Sequence, residues 1–185
     1  MRNIVERHRK NSDAGVTLVE VLIATLILLI CSLTIMAVVG TAIALNNRNK
    51  IGSTGTMLAQ SVVEHIKATL IGSGSSSLTD CAGTVWTINT APGGAAVSGA
   101  YINFSQSSPP ANYHMNYVVN SPCSGSGIQA KVYDVRWNVK IVGADLTPPA
   151  PTNTYLITVG SRLQGHDEGN VIYPLAVNFR VMAGN

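Results

Sequence analysis

Charge is scarce in this sequence. Only 11% of its 185 residues are Asp, Glu, Lys or Arg, and beyond residue 45 the basic ones (Arg48, Lys50, Lys67, Lys131, Arg136, Lys140, Arg162, Arg180) stand singly. Nucleic-acid binding draws its affinity from clustered Lys and Arg, so DNA binding is not supported. Cysteine is scarce too. Cys31, Cys81 and Cys123 show no C-x-x-C spacing, which removes the sequence basis for a dithiol redox motif or a zinc site. There is no G-x-S-x-G elbow and no Walker or dinucleotide glycine pattern. Ser124-Gly125-Ser126-Gly127 lacks the strand-to-helix context of a phosphate cradle and reads as a loop. His65 and His114 have no ligating neighbours in sequence. His166-Asp167-Glu168 could offer oxygens to a metal, but between Gly165 and Gly169 it reads better as a solvated hairpin turn. Tyr101, Phe104, Tyr113 and Tyr117 could line a stacking or sugar-binding surface; at strand spacing they read as core. No catalytic residue, cofactor or metal site is expected.

What the sequence does contain is one long apolar run. Val21 to Leu45 is free of charge over 25 residues. As a helix it would be about 37 Å long at roughly 1.5 Å per residue, more than the roughly 30 Å hydrocarbon core of a bilayer. It follows a polar head with Arg2, Arg7, Arg9 and Lys10, then Gly15, then Glu20 just inside the apolar stretch. An unpaired carboxylate at depth in lipid costs on the order of 3 kcal/mol, so Glu20 calls for a partner. A secretory signal peptide has an apolar core of about 7–15 residues and a small-x-small site, which Ala42-Ile43-Ala44 imitates. The run is too long for that, and Glu20 has no place in it. A plain single-pass anchor explains the length but neither Gly15 nor Glu20.

Gly15 followed by Val16-Thr17-Leu18-Val19-Glu20-Val21-Leu22-Ile23-Ala24 resembles the class III signal of type IV prepilins and type II secretion pseudopilins, whose mature start is close to F-T-L-I-E-V-L-[IV]-A. One position departs: Val16 stands where phenylalanine is usual. The resemblance covers roughly residues 10–70. It implies cleavage after Gly15 by a prepilin peptidase, N-methylation of Val16, and pairing of Glu20 with the N-terminal amine of a neighbouring subunit. It also implies pilin architecture, with one half of the helix in the membrane or filament core and the other packed on a globular head. The basic head would keep residues 1–15 cytoplasmic and send the rest outward from the inner membrane.

Residues 1–15 therefore read as a leader, 16–50 as the transmembrane or filament-core helix, 51–71 as an amphipathic half, and 72–185 as an antiparallel β head, an α+β fold. The leader carries a net charge of +2, and the eight basic and seven acidic residues after it leave +1. Cys31 lies within the apolar helix and reads as a packing residue. Cys81 and Cys123 fall in the exported part, where an oxidising compartment allows a disulfide closing a loop of about 40 residues.

Gly52-Ser53-Thr54-Gly55 predicts a bend or unwound segment, since each Gly costs about 1 kcal/mol relative to Ala in a helix. From Met57 to Ile71 the helical period returns, with Leu58, Val62, Ile66 and Leu70 in one stripe widened by Val63. Gly72-Ser73-Gly74-Ser75-Ser76-Ser77 reads as a flexible connection. The strongest strand is 132–141, where Tyr133, Val135, Trp137, Val139 and Ile141 alternate with Asp134, Arg136, Asn138 and Lys140, one face packed and one wet. Weaker strands are expected over 84–89, 100–104, 113–119, 154–163 and 171–182, with Pro174 interrupting the last, and a loop holding Pro148, Pro149 and Pro151. A Trp-bearing strand, a Pro-rich loop and Tyr155-Leu156-Ile157-Thr158-Val159 faintly resemble the C-terminal part of PilV-type minor pilins.

The resemblance thus leads to an expectation of a minor type IV pilin, a non-enzymatic subunit serving assembly, adhesion, motility or DNA uptake. A minor pseudopilin of a type II secretion system shares the same N-terminal physics. From another class, a membrane-anchored binding module that never enters a filament would leave the N-terminus uncut or tolerate replacement of Glu20.

Overall fold

The computed structural model describes residues 16–69, 71, 74–119, 123, 130–142, 154–164 and 176–184. The chain falls into two compact units, Met1–Asn46 and Asn47–Asn185. Among the described residues there is one helix, α1 (Leu18–Ala68), which contributes to both.

In the first unit every described residue is exposed. Leu, Ile, Val and Ala dominate, no proline interrupts, and Thr17 caps the helix start.

In the second unit the end of α1 buries Gly55, Leu58, Ala59, Val62, Val63 and Ile66, a spacing of three and one that keeps one stripe on the sheet. Leu70, expected in that stripe, lies outside the described residues. The expected bend is absent: the helix runs unbroken through Gly52 to Gly55. Thr54 Oγ1 and Thr56 Oγ1 donate to the carbonyls of Lys50 and Gly52, each at 2.9 Å. The helix holds because packing outweighs propensity here. A Cβ on Gly55 would lie 3.5 Å from Ser161 Oγ and 3.8 Å from Tyr133 Cε1, and Tyr133 Oη donates to Ile51 O at 3.3 Å.

The strands are β1 (Ser75–Thr79), β2 (Val85–Asn89), β3 (Gly93–Gly94), β4 (Val97–Ser98), β5 (Tyr101–Ile102), β6 (His114–Val119), β7 (Lys131–Val142), β8 (Thr154–Gln164) and β9 (Val177–Gly184). β7, β8 and β9 form an antiparallel meander, and the other edge of β7 is shared by β6 and the short β3. β1 with β2 and β4 with β5 form two small antiparallel hairpins. The expected strand at 132–141 is β7. That at 100–104 shortens to two residues, and of 171–182 the described part is β9. Three residues of the expected flexible connection, Ser75, Ser76 and Ser77, are instead the first three of the five in β1.

Trp137, Tyr133, Ile66, Ile88, Met115 and Ile157 are fully buried between helix and sheet. Trp137 Nε1 donates to Asn89 O at 3.0 Å, so the core tryptophan keeps its polar handle satisfied.

The second face of β7 is not wet throughout. Asp134 and Arg136 are buried, because residues 95–106 cross behind the sheet. Gly160 makes room for this crossing: a Cβ there would come within 2.9 Å of Ile102 Cβ. Asn178 Oδ1 accepts the Ile102 N–H at 3.0 Å. Gly94 is confined to glycine as well, since at φ +126° a Cβ would overlap the Trp137 carbonyl.

Candidate functional site

Of the residues expected to act at the N-terminus, Gly15 lies outside the described residues, while Val16 and Glu20 are exposed. Thr17 is the N-cap. Its carbonyl accepts the N–H of Glu20 at 3.0 Å and of Val21 at 3.2 Å, and its Oγ1 accepts the Glu20 N–H at 3.3 Å. Thr17 thus caps the helix through its hydroxyl, and Glu20 places a carboxylate in the first turn, where it complements the helix dipole. The Thr-x-x-Glu spacing is the signal that could have marked this helix start, and the favourable place of its charge at the dipole is a second use of Glu20.

Further along, the hydroxyls in the apolar run are satisfied within the helix. Thr25, Ser32, Thr34 and Thr41 donate to the carbonyls of Leu22, Leu29, Cys31 and Val38 at 2.7–2.9 Å. No hydroxyl among these four presents an unpaired donor to an apolar surrounding, as a lipid-facing helix requires. The helix is long and apolar enough to cross a membrane.

In the second unit Cys81 and Cys123 form the expected disulfide. Beside it lies Asp80, a group the sequence did not single out. Its Oδ1 accepts the N–H groups of Ala82 at 2.9 Å and Thr84 at 2.8 Å; its Oδ2 accepts Trp86 Nε1 at 3.1 Å and Val118 N at 3.4 Å. Burial pushes this carboxyl up, but the hydrogen bonds from Trp86, Thr84, Val118 and Ala82 outweigh it and hold it below its ordinary range. Tyr117 Oη donates to Thr79 O at 3.0 Å. Carboxylate, disulfide and phenol together staple the β1–β2 turn to the end of β6.

On the sheet face away from α1, buried Asp134 accepts Arg136 Nε at 2.8 Å and Arg162 Nη2 at 3.2 Å. The Phe104 ring centroid lies 5.4 Å from the Arg136 guanidinium and 4.7 Å from that of Arg162. The strand period marked Asp134 and Arg136 as wet, so this cluster was missed.

Compared with protein-family models, curated proteins and solved structures, the chain matches none.

His65 is half-buried on α1 and His114 Nδ1 lies 3.0 Å from Pro110 O. Among the described residues no three His, Cys, Asp or Glu side chains come together as metal ligands. His166, Asp167 and Glu168 lie outside the described residues. Of the four aromatics, Tyr113 is core, Phe104 and Tyr117 are half-buried, and Tyr101 is exposed.

Proposed function

We propose that this chain is a minor type IV pilin, a non-enzymatic subunit held in the inner membrane by its N-terminal helix and then drawn into a pilus. The observation that carries the reading is the composition of α1. One helix joins an exposed apolar length, with its hydroxyls internally satisfied and a carboxylate in its first turn, to an amphipathic length that packs on a β-sheet. An independent globular domain has no use for the first part, and in a simple anchor Glu20 would do no more than complement the helix dipole, at the cost of a carboxylate placed in lipid.

In this reading a prepilin peptidase cuts after Gly15 and leaves the Val16 amine at the helix start, cationic because an α-amino group titrates near pH 8. That ammonium and the Glu20 carboxylate are each costly alone in an apolar filament core. Placed against each other on neighbouring subunits they become tolerable together, and the pairing favours one docking register. The partners are other pilin subunits, the peptidase and the inner membrane, with the head outside the cytoplasm.

The test is the N-terminal residue and mass of the protein from membranes, with and without the peptidase. A peptidase-dependent start at Val16, with or without a methyl group, is the expected result. A start at Met1 or beyond Ala44 overturns it and leaves an anchored or secreted β domain. Between a pilus and a type II secretion pseudopilus, the neighbouring genes decide: a retraction motor or a secretion operon.

A further inference from the structure

We infer that the sheet face away from α1 carries a binding point for an acidic saccharide, with Arg162 receiving the sugar carboxylate. Register places Asn116, Asp134 and Arg162 in one cross-strand row, with Gln164 opposite Val132 in the next row. Asp134 is 2% exposed at its side chain and Arg136 8%, so these two form a buried, self-neutralising pair. Arg162 is then a surplus cation, 39% exposed at its side chain. It is also fixed in place. Its Nε and Nη2 donate to Asp134 Oδ2 at 3.3 and 3.2 Å, Nη2 donates to Phe104 O at 3.3 Å, and the guanidinium stacks on the Phe104 ring. A guanidinium held this way has little conformational entropy left to lose on binding an anion.

The neighbours set the ligand class. Gln164 Nε2 donates to Asn116 Oδ1 at 2.6 Å, which turns the Gln164 carbonyl oxygen and the Asn116 amide nitrogen to other partners. An acceptor and a donor side by side suit sugar hydroxyls. One surplus charge suits a monoanion such as a carboxylate, and a lone cation is poor footing for a phosphate backbone. Among the described residues the apolar side chains in these two rows, Val118 and Val132, are half-buried and none of the exposed large ones lies there, so the rows offer a peptide no exposed anchor. The inference rests on the head being displayed outside the cytoplasm.

The test uses the full chain in detergent micelles and three probes: the methyl glycoside of galacturonic acid, a monoanion; its neutral methyl ester; and acetate. Binding is read from the Arg162 Nε–H and the Asn116 and Gln164 amide resonances. The acid should shift all three, and the ester should bind about tenfold more weakly, the ratio of one lost charge-assisted contact. Arg162→Gln should weaken the acid by a similar factor, and Gln164→Ala should weaken the acid while leaving acetate unchanged. Equal binding of acid and ester, or no shift with the acid at millimolar concentration, overturns the inference. The ester comparison uses the parent protein, so it decides the matter even if Arg162→Gln misfolds. Because binding is read on purified protein, its failure is separate from failure of the cleavage experiment.

Discussion

At the scale of the residue, Glu20 and Asp80 are both carboxylates at the end of an element, one in the first turn of α1 and one just past β1, and their surroundings give them different work. Glu20 lies in the first turn of α1, so a structural explanation, complementing the helix dipole, stands beside the proposed intersubunit pairing. The two separate on substitution. Glu20→Gln keeps a good N3 side chain but loses the charge. Helix content by circular dichroism should be unchanged, whereas protein recovered in sheared filaments should fall at least about tenfold, since an unpaired charge in an apolar core costs more than the ~1.4 kcal/mol of that ratio. Filament entry equal to that of the parent would leave Glu20 as a first-turn charge at the helix dipole and nothing more. Asp80 has four hydrogen-bond donors, which hold its pKa below the ordinary value of a free aspartate. A carboxyl whose folded pKa is depressed binds its proton more readily in the unfolded chain. Its contribution is therefore complete above the unfolded value and lost as pH falls through the folded one. Melting followed from neutral pH downward should show stability falling below about pH 4 in the parent. Asp80→Asn should be less stable at neutral pH by about 1–3 kcal/mol and should show a shallower acid decline, because the titrating group is gone.

At the scale of the element, the glycines of α1 turn propensity into a measurable quantity. A Cβ on Gly52 meets nothing within 4 Å, and one on Gly55 meets Ser161, Val177 and Tyr133 only at ordinary contact distances of 3.5–3.8 Å. Gly52→Ala and Gly55→Ala should each raise the stability of the second unit by about 0.5–1 kcal/mol, whereas Gly55→Leu should lower it by about 1–3 kcal/mol by pushing the helix off the sheet. Thermal melts of the three variants check this; destabilisation by both alanines would mean that the helix needs its glycines for a bend after all. That bend was expected from Gly52 and Gly55 because propensity is local, and the sheet that holds the helix straight there is supplied by residues 80 to 125 positions further on. The same difference of range explains the rest. The stripe Leu58, Val62, Val63 and Ile66 and the alternation Tyr133 to Ile141 were legible because each is a period within one element. The burial of Asp134 and Arg136 was not, since it depends on Gln106 and Phe104, about 30 residues earlier in the chain. Asp80 escaped notice likewise: its Val118 donor lies 38 residues away.

At the scale of the molecule, all the buried side chains of the core come from the second unit. Leu58, Ala59, Val62, Val63 and Ile66 meet Ile88, Met115, Tyr133, Trp137, Ile157 and Val159, and nothing from residues 16–46 joins them. A chain begun at Asn47 therefore keeps the whole described core, and it sheds the exposed Leu, Ile and Val of the first unit. It should be soluble without detergent, run as a compact species on gel filtration, and melt cooperatively with near-ultraviolet dichroism from the buried Trp137. An aggregated or non-cooperative fragment would show that the head needs the first unit. In that fragment the disulfide has its clearest reading. Its two cysteines are 42 residues apart, and the chain-entropy model gives about 4 kcal/mol for a loop of that size. Domain stabilities run to about 5–15 kcal/mol, so the bond is a large share of the total. Cys81→Ser with Cys123→Ser should lower the unfolding free energy in urea by about 3–4 kcal/mol. Because Asp80 and Tyr117 still hold the same turn, the β1–β2 hairpin should remain docked and Trp86 should keep its native fluorescence below the transition. Early loss of the Trp86 signal, ahead of Trp137, would instead show that the disulfide alone holds the hairpin to β6.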